Sequence, residues 1–94
     1  MRLDEHTKNI IKQSVLKLDS EAKVYLFGSR TDDNKKGGDI DILVLSEKLK
    51  PIDKVKILTN VFLYLEEQKI DIVIAKTLDE NPFLKYISKQ ILPL

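Results

Sequence analysis

The sequence has 94 residues, of which 43% are hydrophobic and 33% are charged, and it carries a formal net charge of +1 with no cysteine. These properties indicate one soluble globular domain spanning residues 1–94, and they exclude disulfides, thiolate metal sites and cysteine nucleophiles. The nearly neutral charge argues against nucleic acid as a main partner, and because there is no apolar leader and no run of about 18 apolar residues, we expect a cytoplasmic protein without a membrane span.

The first part of the chain predicts a helix followed by a strand. Residues 4–19 carry apolar side chains at helical spacing, namely Ile10, Ile11, Val15 and Leu18. Residues 22–27 are apolar and aromatic and end abruptly at Gly28, as in a strand that enters a tight turn. We expect a short helix to begin at Ser29.

A second strand follows a loop that is dense in turn-forming residues, Thr31 to Gly38. Residues 39–45 alternate between two sets of side chains. One set is apolar and comprises Ile40, Ile42 and Val44. This two-residue period predicts a strand with one buried face, so Asp39 and Asp41 share the other face.

The next helix and strand are predicted from similar patterns. Pro51 is typical of a first helical position. It precedes a stripe that we expect to face the core, formed by Ile52, Val55, Leu58, Phe62 and Leu65. Residues 69–75 then repeat the strand pattern and place Asp71 opposite a row of isoleucines.

A short terminal helix closes the predicted domain. Asn81 and Pro82 are typical of an N-cap and a first helical residue. The apolar stripe of this helix, which ends near Pro93, consists of Leu84, Ile87 and Ile91. The predicted order of elements is therefore α-β-(short α)-β-α-β-α, without repeats or an internal linker.

The three strand carboxylates suggest metal-assisted chemistry on a nucleoside triphosphate. Side chains two apart on a strand lie about 6.5–7 Å apart at the backbone. Carboxylates that lean together from Asp39 and Asp41 can therefore bridge two metal ions about 3.5–4 Å apart. Mg²⁺ prefers carboxylate and phosphate oxygens. Asp71 completes the predicted set and helps to deprotonate an attacking hydroxyl.

The turn after the first strand supplies the complementary phosphate site. Gly28 lets the backbone approach phosphate closely, and Ser29 offers a hydroxyl and an amide at a helix start, where anions are favoured. We expect these two residues to bind the β and γ phosphates. Arg30 and the loop lysines, Lys35 and Lys36, are further candidate phosphate contacts.

Together, Gly28-Ser29, Asp39-Ile40-Asp41 and Asp71 resemble the signature of the polymerase β-like nucleotidyltransferase superfamily, and the length is similar to that of its minimal nucleotidyltransferases. The resemblance implies an α+β fold with a small mixed sheet flanked by helices, a glycine and serine that bind the triphosphate, and three carboxylates that bind two Mg²⁺ ions. The nine residues between Ser29 and Asp39 are one fewer than in many members, and Gly37-Gly38 can absorb the difference.

The resemblance also implies a partner. Minimal members often pair with a helical HEPN-type ribonuclease toxin, act as its antitoxin and transfer AMP from ATP to one of its tyrosines. Two alternatives remain, namely an antitoxin that neutralises by binding alone, and a transferase that acts on RNA or a small molecule. Because so small a domain leaves little beyond the nucleotide half of a site, we expect the acceptor to come from another chain in a hetero-oligomer.

Each motif also has an ordinary structural interpretation. Gly28-Ser29 alone is typical of a turn and a helix cap, and Asp39-Ile40-Asp41 alone is typical of a solvated strand face or a charge-protected edge. Their combination with Asp71 in a second strand is much more specific. The sequence therefore favours a nucleotide site over a purely structural arrangement.

Overall fold

The computed structural model describes residues 3–28 and 39–94. In chain order its elements are α1 (Glu5–Leu16), β1 (Lys23–Phe27), β2 (Ile40–Leu45), a 3₁₀ turn (Pro51–Asp53), α2 (Lys54–Val61), β3 (Ile70–Ala75), α3 (Pro82–Ile87), a second 3₁₀ turn (Ser88–Gln90) and β4 (Leu92–Pro93). The short helix expected after Gly28 lies outside the described residues. No helix in the described part of the chain is long and apolar enough to cross a membrane.

The four strands form one mixed sheet in the order β3-β2-β1-β4. Strand β1 pairs antiparallel with both of its neighbours, whereas β2 and β3 run parallel. A parallel pair needs a crossover connection, and α2 supplies it. The expected α+β fold, a small mixed sheet flanked by helices, is therefore confirmed.

Both faces of the sheet are covered. On one face, alternate residues of the strands pack against α1 and α2 in a cluster that includes Ile11, Val15, Ile42, Ile57 and Val61. On the other face, a smaller cluster under α3 contains Phe27, Leu43, Ala75, Leu84 and Ile87. The strand prediction that left only one face of β2 buried was incomplete, because α3 covers Leu43 as well.

The core-facing stripe predicted for α2 was partly wrong. Ile52 and Val55 are 77% and 60% exposed, whereas Ile57 and Val61 are fully buried. The segment from Pro51 to Asp53 is a 3₁₀ turn, with fewer residues per turn than an α-helix. Consequently the apolar residues that follow Pro51 most closely, Ile52 and Val55, do not lie on the side of α2 that packs against the sheet. The remaining predicted residues, Leu58, Phe62 and Leu65, pack partly buried against the core.

The end of the chain also differs from the prediction. Asn81 caps α3 as expected, because its side chain accepts a hydrogen bond from the amide of Leu84 at 3.0 Å. The helix ends earlier than predicted, at Ile87, and β4 then pairs antiparallel with β1. The amide of Leu94 donates to the carbonyl of Val24 at 2.9 Å. This pairing satisfies backbone groups of β1 that would otherwise form a sheet edge.

Candidate active site

A row of three side chains crosses the sheet at the start of β2 and β3. Asp41 is the register partner of Asp71 in the parallel pair and of Phe27 in the antiparallel pair. Register partners project from the same face of a sheet, and their Cβ atoms lie about 4.5–5.5 Å apart in antiparallel pairs. The structure therefore places two of the three predicted carboxylates, those of Asp41 and Asp71, side by side, with Phe27 on the other side of Asp41.

The alternation of each strand determines which face carries this row. The isoleucines of β2 and β3 point into the cluster with α1 and α2, so the residues between them point to the opposite face. Farther along the strands, α3 covers that face at Leu43 and Ala75. At the strand starts the face remains accessible, since Asp71 is exposed and Asp41 is only partly buried.

The backbone of Gly28 lies against the Asp41 carboxylate. Its φ is +78°, in the left-handed region that favours glycine. A Cβ at this position would overlap Oδ2 of Asp41 and lie 3.2 Å from its Cγ. The end of β1 and the carboxylate row therefore meet at one edge of the sheet. The predicted end of the strand before Gly28 is confirmed, whereas the tight turn predicted there includes residues outside the described part of the chain.

Like charges shape the electrostatics of this edge. Burial raises the pKa of Asp41, the negative charges of Asp71 and Asp39 raise it further, and Lys69 lowers it. The Nζ atom of Lys69 lies 3.5 Å from Oδ2 of Asp39. A carboxylate destabilised in this way gains from a nearby cation, because an opposite charge favours its ionised form.

A family model described as a nucleotidyltransferase domain matches residues 8–93. The chain belongs to this nucleotidyltransferase family. The matched range contains Gly28 and all three predicted carboxylates, together with every strand of the sheet. Membership supports nucleotidyl transfer as the general activity and a transferase as the class of enzyme. No curated protein matches the chain.

Within the nucleotidyltransferase domain, the predicted site residues fall into two groups. Asp39, Asp41 and Asp71 lie at the starts of β2 and β3, and Gly28 lies against Asp41. Ser29 and Arg30 lie outside the described residues, as do the loop lysines, Lys35 and Lys36, and the glycine pair, Gly37 and Gly38. The predicted contacts of this second group with phosphate remain predictions.

The carboxylates fit Mg²⁺ as donors without forming a complete site. In residues 3–28 and 39–94, no three His, Cys, Asp or Glu side chains are grouped so as to hold a metal ion by themselves. Mg²⁺ is usually bound by one or two carboxylates plus substrate phosphates and waters. Asp41 with Asp71 or Asp39 could therefore supply the protein's share of the ligands, and a triphosphate the remainder.

Sequence reasoning missed two neighbours of the site. Lys69 precedes Asp71 by two residues, so the same strand alternation that located Asp71 also placed a cation at this edge. Phe83 lies in edge-to-face contact with Phe27, and its ring centroid is 6.2 Å away. No local pattern indicates this second contact, because it depends on how α3 crosses the sheet.

Proposed function

We propose that this nucleotidyltransferase uses ATP and Mg²⁺ to transfer AMP to a tyrosine hydroxyl of a HEPN-type ribonuclease toxin and thereby acts as its antitoxin. The observation that carries the proposal is the adjacent placement of Asp41 and Asp71, with Gly28 against Asp41. Family membership supports the transfer reaction, and the similarity to minimal nucleotidyltransferases supports the partner and the acceptor.

The proposed reaction is an in-line displacement at the α-phosphorus. The tyrosine oxygen forms a bond to the α-phosphorus while the bond to the bridging oxygen breaks, and pyrophosphate leaves with the electron pair. Asp39 and Asp41 would hold the metal ions, and Asp71 would complete the set of carboxylates and accept the hydroxyl proton. When bound, Mg²⁺ supplies charge neutralisation at the phosphates and lowers the pKa of the attacking hydroxyl.

The surface around the carboxylates supports an acceptor from another chain. Asp71 is exposed, so a hydroxyl on a separate protein can approach it. A cavity of about 350 Å³ lies between α1 and α2, lined by residues that include Ser14, Asn60 and Leu63. It is on the opposite face of the sheet and so contributes no acceptor pocket to the carboxylates. We therefore expect a hetero-oligomer with the toxin.

The direct test measures label transfer from ATP. The purified chain is incubated with Mg²⁺, ATP labelled at the α-phosphate and a HEPN-type toxin, which is first sought as a small helical protein encoded beside the gene for this chain. We expect a tyrosine of that protein to gain AMP, and we expect Asp39→Ala and Asp41→Ala to abolish the transfer while retaining native circular dichroism. Asp79→Ala, which removes an exposed carboxylate elsewhere, serves as the matched control and should transfer normally.

The same variants separate the alternative functions. Normal transfer by Asp39→Ala or Asp41→Ala contradicts the proposed mechanism. If both variants lose transfer but still silence the toxin at equal expression, neutralisation works by binding alone. If the native chain extends an RNA without any protein partner, the acceptor is nucleic acid and the toxin proposal is wrong.

A further inference from the structure

A half-exposed aromatic ring stands next to the carboxylate row. Phe83, in the first turn of α3, is 51% exposed, whereas Phe27 beneath it is only 8% exposed. Their ring planes meet at 78°, and the centroids are 6.2 Å apart. This is the edge-to-face geometry that aromatic pairs prefer. The Phe83 ring is thus held on one side by Phe27, while about half of the Phe83 side chain stays accessible to solvent.

The position of this ring follows from the register of the sheet. Phe27 faces Asp41 across the antiparallel pair, and such side chains lie about 5 Å apart at Cβ. Because Phe83 contacts Phe27 and Phe27 lies beside Asp41, the Phe83 ring is separated from the Asp41 carboxylate by a single side chain. The ribose separates the base of a nucleotide from its α-phosphate, so a nucleotide whose phosphates lie at the carboxylates places its base beside them rather than on them.

We propose that Phe83 is the nucleobase-stacking residue of this site, with a nucleoside triphosphate as the ligand whose phosphates lie at the carboxylates. The inference rests on the proposed nucleotidyl-transfer function and adds the subsite for the base. Stacking on an aromatic ring tolerates every base, because each base has a π-face. Phe83 therefore contributes affinity for nucleotides with a preference for purines, which have the larger ring system.

The residues around Phe83 keep its side chain ordered before a base binds. The next residue, Leu84, is fully buried, and Ile87 one turn later is buried against the same cluster. These anchors fix α3 on the sheet, and the contact with Phe27 restricts the ring. A side chain that is already ordered loses little conformational entropy when a ligand binds, so its stacking contributes efficiently to affinity.

The test compares ligands with and without a base. Isothermal titration calorimetry measures binding of ATP and of inorganic triphosphate, both with Mg²⁺, to the full chain and its variants. We expect Phe83→Ala to weaken ATP binding about 10- to 100-fold and to leave triphosphate binding unchanged. Phe83→Trp, which keeps an aromatic ring at this position, should bind ATP about as tightly as the native chain. Tyr64→Ala is the matched control, because Tyr64 is an aromatic residue of similar exposure, 59%, near the end of α2.

Each other outcome has a distinct meaning. Equal loss of ATP and triphosphate binding in Phe83→Ala shows a structural role and overturns the stacking assignment. If Phe83→Ala binds ATP like the native chain, the stacking assignment is wrong and the proposed function stands. If the native chain binds neither ligand, the proposed function fails, and the base subsite fails with it.

Discussion

Replacement of Gly28 by alanine is expected to destabilise the fold and displace the Asp41 carboxylate. The φ of +78° requires the left-handed conformation, which costs an L-residue about 1–2 kcal/mol. The added Cβ would also overlap Oδ2 of Asp41 and lie 3.2 Å and 3.4 Å from its Cγ and Cβ. Because the carboxylate is the end of a side chain, it can rotate away, whereas the backbone strain stays.

The expected magnitude follows from these two effects. Gly28→Ala should lower the free energy of unfolding by about 1–2 kcal/mol, which lowers Tm by about 5–15 °C for a domain of this size. Nucleotidyl transfer should fall by more than the loss of folded protein explains, since the rotated Asp41 carboxylate no longer lies beside Asp71. Urea denaturation measures the first quantity, and the label-transfer assay measures the second.

A double-mutant cycle separates strain from overlap. Asp41→Ala removes Oδ2 and Cγ but leaves the φ of Gly28 unchanged. The destabilisation caused by Gly28→Ala should therefore be smaller in the Asp41→Ala background, and the residual part measures backbone strain alone. A Gly28→Ala variant whose free energy of unfolding is within about 0.5 kcal/mol of that of the native chain would show that neither strain nor overlap matters at this position, because that is the range of ordinary surface substitutions.

Three further substitutions test the electrostatics of the site and the corrected face of α2. Because burial and neighbouring charges raise the pKa of Asp41, ionisation of this side chain opposes folding. Asp41→Asn should therefore be more stable than the native chain at pH 7, and its advantage in urea denaturation should disappear as the pH falls below the ordinary aspartate pKa. An equal advantage at acid pH would contradict this. Val61→Ala, at a fully buried site, should cost about 1–3 kcal/mol, whereas Val55→Ala, at a site that is 60% exposed, should cost almost nothing. Equal costs for Val61→Ala and Val55→Ala would contradict this assignment and would support the sequence-based prediction that Val55 faces the core.

Local sequence patterns were sufficient for much of the fold. The alternation in β2 and β3 correctly separated the core isoleucines from the aspartates, since side-chain direction in a strand depends only on position along it. Gly28 correctly predicted the end of β1, and Asn81 correctly predicted a helix start. These features are determined by a few residues that are neighbours in the sequence, which is why they can be predicted from local patterns.

Errors arose where a local pattern was compatible with two arrangements. The segment after Pro51 has apolar residues on more than one side, so the sequence could not show that Ile57 and Val61, rather than Ile52 and Val55, face the sheet. The strand β4 was missed because two residues carry almost no periodic signal. Its existence depends on pairing with β1, which is distant along the chain.

Local sequence was enough to specify the residue types of the candidate site and the strand face on which each carboxylate lies. Three features depend on the packed fold: Asp71 lies directly beside Asp41, Gly28 lies against the same carboxylate, and Phe83 of α3 contacts Phe27 on the same face. The physical reason is that strand alternation is a local property of the backbone. Strand register and helix crossing instead depend on packing between segments that are far apart in sequence.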